Sequence, residues 1–384
     1  MKLRASSIAD YLKLVQPHLV PQLISLENWS TINTVAQVLP SAITSFFGFE
    51  CRLGIKEPQA DFLICADAAE AGRKVLAGND YPITLPDFLT THPVWSNIRK
   101  FSNHWDTNTS PLYQKVRNVW LEFDINESLP TLPIPSCFFG PEPIYQTSAE
   151  QRGKLSSPHQ WVSQTALKLL LNKALSPQVE NQLLKCFDLL PTDAYVFQIG
   201  VMLARKSDLV RICIRNISPE QILNYLTQLN GSGSFHPLKP ILIQLSNFVE
   251  RIDLDLDVGE VIFPKIGLEC YLSQQPNYEP RWQLFLDYLV EIGLCLPAKR
   301  DALLAYPGCI REISNREIWP PGLLKLSDFL GAGYETVFFR RLHHIKVVYQ
   351  PDKPLEAKVY LSVNHTLLSP QFISQWREYQ NASV

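Results

Sequence analysis

Residues 263–272, FPKIGLECYL, alternate between two kinds of side chain with a period of two. One set of positions includes lysine, glycine, glutamate and tyrosine, whereas the other includes isoleucine, leucine and cysteine. Successive side chains of a β-strand point to opposite sides, so this alternation predicts a strand with one polar and one apolar face. Residues 357–364 repeat the pattern, which indicates that such strands are the building unit of this chain.

The same kind of alternation predicts ten strands in five hairpins, which are separated by helical segments. The turn within each hairpin is short, and a short connection makes the two strands antiparallel. The predicted hairpins lie near residues 49–66, 117–139, 195–216, 252–272 and 343–364. We expect the helices to cover the apolar faces, which leaves the polar faces together on the other side of the sheet.

Two arrangements of the sheet are compatible with one apolar and one polar face. An open antiparallel sheet would leave the polar face in water, whereas a closed sheet would turn it into a lumen. Ten twisted strands are near the size at which open sheets curl, and large polar-face side chains such as Trp120 and Tyr271 gain from shielding. We therefore predict an α+β fold in one domain over residues 1–384, a ten-stranded antiparallel barrel with a polar lumen surrounded by helices.

The charge and the cysteines limit the partners and the compartment. The chain has 35 basic and 37 acidic residues, and this formal net charge of −2 gives no reason to expect nucleic acid or a membrane as partner. The eight cysteines lack a CxxC or other metal-ligand spacing, which is typical of a reducing compartment. The first residues, MKLRASSIADYLKLV, lack the apolar core of a signal peptide. These features predict a cytoplasmic protein.

A closed barrel would bring basic, acidic and tyrosine side chains together in its lumen. The residues concerned are Arg52, Lys56, Glu122, Asp124, Arg211, Arg215, Lys265, Glu269, Tyr271, Lys346, Lys358 and Tyr360. Lysine and arginine suit a diphosphate, tyrosine faces stabilise a carbocation, and a carboxylate accepts a proton from an aromatic acceptor. Each residue alone is also consistent with a solvated side chain or a salt bridge at the rim.

Three stretches resemble a known family. VWLEFDIN (119–126), LEAKVYLSVNH (355–365) and PKIGLECYL (264–272) are similar to strands of the ABBA-type, or PT-barrel, aromatic prenyltransferases. The fold of that family consists of repeated helix–strand–strand–helix units around a wide barrel, and the resemblance in architecture extends over most of the chain. It implies transfer of a prenyl group from an allylic diphosphate to an aromatic acceptor, either a peptide or a small natural product.

The resemblance also implies roles for individual residues. Glu122 matches the glutamate that holds the N–H of an indole, and it is the expected catalytic residue. The residues expected to bind diphosphate are Arg211, Lys265 and Lys358. The residues expected to shield the carbocation and to form the acceptor pocket are Tyr271, Tyr360, Trp120 and Glu269.

Two positions depart from the family pattern and leave other functions open. Gly267 and Glu269 stand where the fungal members have arginine and lysine. A carboxylate there would repel a diphosphate. This favours a non-prenylating enzyme on the same barrel, such as a cyclase or another peptide-modifying catalyst. A third class is a binding protein that holds an aromatic ligand in the lumen.

The sequence also contains two groups of candidate metal ligands. The acidic positions 253, 255, 257 and 260 are interpreted as the polar face of one strand, with Mg²⁺ binding as the alternative, because their spacing differs from that of an EF-hand. His343 and His344 with His365 would meet across the last hairpin, and we interpret them as structural histidines rather than zinc ligands. We predict no metal site and no firm cofactor.

Overall fold

The computed structural model describes residues 6–79, 82–125, 132–147, 158–205, 207–230, 235–331 and 333–373. The strands in these ranges are β1 (Phe46–Arg52), β2 (Ala60–Asp67), β3 (Val116–Phe123), β4 (Ser136–Pro141), β5 (Ile144–Tyr145), β6 (Tyr195–Val201), β7 (Val210–Arg215), β8 (Arg251–Val258), β9 (Ile262–Tyr271), β10 (Gly308–Arg311), β11 (Glu335–Tyr349) and β12 (Glu356–Leu368).

The helices lie between the hairpins. The α-helices are α1 (Ile8–Val15), α2 (Leu26–Gln37), α3 (Gly72–Ala77), α4 (Asp87–Thr90), α5 (Pro93–Asp106), α6 (Leu112–Lys115), α7 (Lys168–Leu171), α8 (Pro177–Asp188), α9 (Pro219–Asn230), α10 (Leu238–Ser246), α11 (Arg281–Glu291), α12 (Pro297–Ala305), α13 (Glu312–Asn315) and α14 (Pro321–Leu330). A π-helical segment, Val162–Leu167, leads into α7. Among the described residues, no helix has the length and apolar character needed to cross a membrane.

Ten of the described strands form a closed antiparallel barrel. Each strand hydrogen-bonds to the next in the order β11, β12, β1, β2, β3, β4, β6, β7, β8 and β9, and β9 pairs again with β11. The closing pair places Lys346 opposite Glu269 and Val348 opposite Gly267. Strand β10 pairs with the first part of β11, and β5 pairs with β6, outside this ring of ten. The predicted ten-stranded antiparallel barrel with surrounding helices is confirmed.

The apolar faces of the strands pack against the helices. Val119, Leu121 and Phe123 of β3 are buried, and the ring of Phe123 lies 6.3 Å from that of Trp95 in α5. Helix α5 begins at Pro93, whose fixed φ and missing N–H suit the first turn of a helix. The hydrophobic core is therefore a shell between sheet and helices, and the polar faces of the strands are left to the lumen.

The hairpins differ from the prediction mainly at their ends. The last one spans residues 335–368 rather than 343–364, because the first part of β11 pairs with the four-residue strand β10, which is too short to show an alternation. Lys56, expected in the lumen, is instead exposed in the turn after β1, because that strand ends at Arg52. Asn126, the last residue of the stretch 119–126, lies outside the described residues.

Candidate active site

The lumen contains a cavity of about 250 Å³ that is rich in rings, which we call the aromatic cavity. Its aromatic lining consists of Phe46, Trp120, Phe138, Phe197, Tyr271, His343, His344 and Tyr360. These side chains come from strands all around the barrel, and they converge because every second side chain of a barrel strand points inward. Trp120 packs edge to face on Phe46, with ring centroids 5.4 Å apart. Such a lining suits a flat aromatic molecule.

A smaller cavity of about 40 Å³, the charged cavity, shares part of its wall with the aromatic cavity. The residues common to both walls are Glu122, Phe138, Arg211, Asp255 and Lys346. Lys265 and Lys358 line the charged cavity only. The interior therefore places an aromatic region next to a charged region, and Glu122 belongs to the layer of side chains between them.

The carboxyl group of Glu122 has no hydrogen bond or ion pair to any residue that the structure describes. Glu122 alternates with Leu121 and Phe123 on β3, so its side chain points inward while theirs pack outward. Burial, followed by repulsion from Glu50, raises the pKa of Glu122 to about 8. Around neutral pH the carboxyl group is thus held largely in its protonated form and retains a free carbonyl oxygen as an acceptor.

Most basic residues of the lumen are paired with carboxylates. Arg211 donates two hydrogen bonds to Asp257, of 2.8 and 2.9 Å, and Nζ of Lys358 donates one of 2.7 Å to Glu50. Lys346 forms an ion pair with Asp255. These pairs neutralise charge that would otherwise be available to an anionic ligand.

The same pairing sets the protonation of both partners. Burial alone would raise the pKa of Glu50, but Lys358 and hydrogen bonds from Lys358 and Tyr360 hold it below its usual range. Burial alone would lower the pKa of Lys346, but the carboxylates of Asp255 and Glu269 hold it above its usual range. The lumen therefore contains ionised, mutually compensated pairs at neutral pH.

Further pairs line the barrel. Arg215 and Arg251 each donate a hydrogen bond of 2.9 Å to the fully buried carboxylate of Asp253, whose pKa burial raises to about 6. Lys265 is different, because it has no ion-pair partner among the described residues and its side chain is exposed. Partial burial and the cations Lys358 and Arg211 lower the pKa of Lys265. Lys265 is thus the cation of the charged cavity most accessible to an incoming anion.

Lys346 occupies the space that a side chain at position 267 would need. A Cβ atom added to Gly267 would lie 2.6 Å from Cε of Lys346 and 2.9 Å from Cβ of Asp255. The two positions are close because β9 and β11 close the barrel side by side. The side chain of Lys346, from the neighbouring strand, therefore lies next to Gly267, and Asp255 compensates its charge.

The two predicted shield tyrosines are held by carboxylates. The hydroxyl of Tyr271 donates a 2.8 Å hydrogen bond to Glu269, and that of Tyr360 donates to Glu50. Burial raises the pKa of both phenols well above the usual value, so both rings are neutral. Cζ of Arg251 lies 4.0 Å from the ring centre of Tyr271, which already engages that ring in a cation–π contact.

All eight site residues named from the sequence line one of the two cavities. These residues are Glu122, Arg211, Lys265, Lys358, Tyr271, Tyr360, Trp120 and Glu269. Their placement is observed, whereas their roles stay predictions. Sequence reasoning left out Glu50, although it lies on the polar face of the first hairpin, and it set His343 and His344 aside. The alternation identifies faces, but it does not show which cation meets which carboxylate.

The described residues include no group of three or more histidine, cysteine, aspartate or glutamate side chains arranged to hold a metal ion. The aspartates of β8 lie on one face of that strand, and each has a basic partner. His365 is separated from the other two histidines, because it packs against Tyr11 and Phe338 outside the lumen.

Solved structures similar to this chain include 5-dimethylallyl tryptophan synthase from Streptomyces coelicolor in complex with DMASPP and Trp. It is 12% identical, with a TM-score of 0.43, over 93% of this chain and 95% of that chain. The apo form of prenyltransferase PriB is 10% identical, with a TM-score of 0.44, over 93% and 94%. AnaPT from Neosartorya fischeri is 11% identical, with a TM-score of 0.48, over 95% and 93%. No protein-family model and no curated protein sequence matches the chain.

Proposed function

We propose that this barrel transfers a prenyl group from an allylic diphosphate to an aromatic acceptor. The observation that carries the proposal is the adjacency of the aromatic cavity and the charged cavity. The carboxyl group of Glu122, which has no partner among the described residues, lies between them. Prenyl transfer needs this combination, since an anionic leaving group must depart beside a carbocation and an aromatic nucleophile. The acceptor is a small aromatic natural product or an aromatic side chain of a peptide.

The charged cavity is the proposed site of the diphosphate. Lys265 is the first cation that the phosphates meet, and Arg211 and Lys358 follow deeper in the same wall. The guanidinium of Arg211 suits two phosphate oxygens at once. Binding of the diphosphate requires Asp257 and Glu50 to share their partners with it. The allylic chain then extends into the aromatic cavity, towards the neutral rings of Tyr360 and Tyr271.

The aromatic cavity is the proposed site of the acceptor. Trp120 offers a ring for stacking, and Glu122 on the same strand face offers an oxygen to the acceptor N–H or O–H. A hydrogen bond to that oxygen withdraws the proton partly and makes the aromatic ring more nucleophilic. A carboxyl group with a pKa of about 8 is well matched to this task, because general acid–base groups work best near the operating pH.

One observation favours a second candidate, an enzyme on the same barrel that does not use a diphosphate. Arg211, Lys346 and Lys358 are each compensated by a carboxylate. Arg205 is likewise paired with Asp124. Among the described residues that line the charged cavity, a diphosphate would therefore have to compete with a carboxylate for every cation except the exposed Lys265. A cyclase, another peptide-modifying enzyme or a binder of a neutral aromatic ligand would encounter no such competition.

Titration calorimetry with a non-hydrolysable allylic diphosphate separates the two candidates. Prenyl transfer predicts saturable binding that weakens in Lys265→Ala, because this variant removes the most accessible cation of the charged cavity. The matched control is Lys173→Ala, an exposed lysine outside the barrel paired with Asp208, which should bind as the parent chain does. Absence of binding to the parent chain would reject the prenyl transfer proposal and favour the second candidate.

A further inference from the structure

A β-bulge directs two consecutive histidines of β11 into the lumen. Leu342 pairs with Leu361 and His344 with Tyr360, so His343 is an extra residue without a partner on β12. In a regular strand these neighbours would point to opposite sides, but a bulge changes the direction of a side chain. Both rings line the aromatic cavity. The bulge thus adds one titratable group, His343, that the alternation of the strand would not place there, whereas His344 follows the same alternation as Lys346.

The two imidazoles contact each other, and the second lies near Glu269. The Nδ1 atoms of His343 and His344 are 2.7 Å apart, a hydrogen-bond distance. His344 is buried, its ring stacks on Tyr360 with centroids 4.1 Å apart, and its Nε2 has no hydrogen bond to the described residues. That Nε2 atom faces Oε1 of Glu269 at 3.6 Å.

This geometry determines where the protons of the pair lie. A carboxylate near Nε2 of His344 favours the tautomer with hydrogen on that nitrogen, because the N–H dipole then points to the negative charge. Nδ1 of His344 is then the acceptor, so Nδ1 of His343 must carry the hydrogen between the two rings. Nε2 of His343 is left with a lone pair, and the structure describes no hydrogen-bond partner for it.

The cations around the pair favour neutral rings, although the carboxylates of Asp255 and Glu50 act in the opposite sense on His344. Arg215 and Arg251 stand on the side of His343, and Lys346 stands on the side of His344. The ring of His343 is exposed to the lumen, and desolvation by the surrounding barrel, together with Arg215 and Arg251, lowers its pKa below the usual value. Burial, aided by His343 and Lys346, lowers the pKa of His344 well below its usual value. A neutral imidazole is the form that can accept a proton.

We propose that Glu269, His344 and His343 form a relay in which Nε2 of His343 accepts the proton that the acceptor ring loses. The inference rests on the proposed prenyl transfer. The allylic C–O bond breaks and its electron pair leaves with the diphosphate, while an electron pair of the ring forms the new C–C bond. The ring C–H proton passes to Nε2 of His343, and its bonding pair restores aromaticity. His343 is then catalytic, whereas His344 and Glu269 position it and stabilise its charged form.

Nitrogen NMR on the chain of residues 1–384 tests the relay without any substrate. The relay predicts hydrogen on Nδ1 of His343 and on Nε2 of His344. Glu269→Leu should mix the tautomers of both rings, because the carboxylate that selects them is gone. The control variant is His365→Gln, a histidine outside the lumen, which should leave both tautomers unchanged. Hydrogen on Nε2 of His343 in the parent chain would overturn the proposal.

Chemical rescue tests the catalytic part. His343→Ala should lower turnover by about 100-fold, within the range of general-base contributions, and added imidazole should restore part of it by occupying the vacated space. Full turnover in His343→Ala, or a loss that imidazole does not reverse, would overturn the role of His343. If the parent chain forms no prenylated product, the proposed function fails, and the NMR result then decides the relay on its own.

Discussion

Nζ of Lys358 donates a 2.7 Å hydrogen bond to one oxygen of Glu50, and the hydroxyl of Tyr360 donates to the other. The three residues meet because β12 lies beside β1 and places Tyr360 opposite Glu50. One carboxylate therefore holds both a predicted diphosphate ligand and a predicted shield residue. Access of a diphosphate to Lys358 depends on how readily Glu50 releases it.

Glu50→Gln should strengthen binding of a non-hydrolysable allylic diphosphate, by about 1 kcal/mol, because Lys358 is then free to interact with the phosphates. Lys358→Ala should weaken the same binding by about 1.5–3 kcal/mol, the range for a hydrogen bond to a charged group. Titration calorimetry measures both. Glu142→Gln, which breaks the exposed pair with Arg117, serves as the control and should change nothing. Equal affinities in all four proteins would show that Lys358 does not contact the diphosphate.

Glu122→Gln should lower turnover by about 100-fold, the low end of general acid–base contributions. The fraction of Glu122 that is ionised near its pKa of about 8 can take up the N–H or O–H proton of the acceptor, whereas an amide cannot. The fold should persist, since this side chain faces the lumen and not the helices. Steady-state kinetics and circular dichroism provide the two readouts. Unchanged turnover with an intact fold would remove Glu122 from the mechanism.

The raised pKa of Glu122 makes a separate prediction about stability. The folded chain holds this proton up to a pH of about 8, whereas the unfolded chain releases it near the ordinary glutamate pKa of 4.5. The stabilising contribution is therefore complete below pH 4.5 and is lost as the pH rises through 8. Between pH 5 and pH 9, the parent chain should lose about 1–3 kcal/mol of unfolding free energy relative to Glu122→Gln. This range is smaller than the full pKa shift implies, because water in the lumen screens the charge. Urea unfolding at both pH values measures this, and identical pH dependence would contradict it.

The faces of the strands were predictable from the sequence, because the direction of a strand side chain follows from the backbone alone. Lys265, Glu269 and Tyr271 therefore line the barrel as the alternation of 263–272 predicts. The order of the strands around the barrel could not be predicted in this way, because it depends on pairing between residues far apart in the sequence. No local pattern indicates that β9 closes on β11 and brings Lys346 over Gly267.

The histidines illustrate the second limit of the sequence. The bulge at His343 breaks the period of two on which the prediction relied. No glycine or proline near the bulge indicates its position in the sequence. His343 and His344 therefore resemble ordinary histidines at the end of a strand. The ion pairs could not be predicted either, because Arg211 and Asp257 face each other only through the register of β7 and β8. Faces are local properties, whereas partners depend on register.

Gly48→Ala should destabilise the barrel, because a Cβ atom there would lie 2.3 Å from the backbone oxygen of Leu361. That oxygen belongs to the neighbouring strand β12 and cannot move without breaking the ladder. The expected cost is about 1–3 kcal/mol or more, as for other overpacked sites. Thermal unfolding measures it. The control is Gly322→Ala in α14, where an added Cβ meets nothing within 4 Å. If the two variants are equally stable, the close contact between β1 and β12 is wrong.

Mass spectrometry of the reaction mixture tests the proposed function most directly. The purified chain is incubated with dimethylallyl diphosphate and a panel of tryptophan- and tyrosine-containing acceptors, beside Glu122→Gln as the matched variant. We expect an acceptor heavier by one prenyl group and release of diphosphate, with much less of both in the variant. Saturable binding of an aromatic ligand without any prenylated product, across the whole panel and for longer allylic diphosphates, would contradict prenyl transfer and support a barrel that does not use a diphosphate.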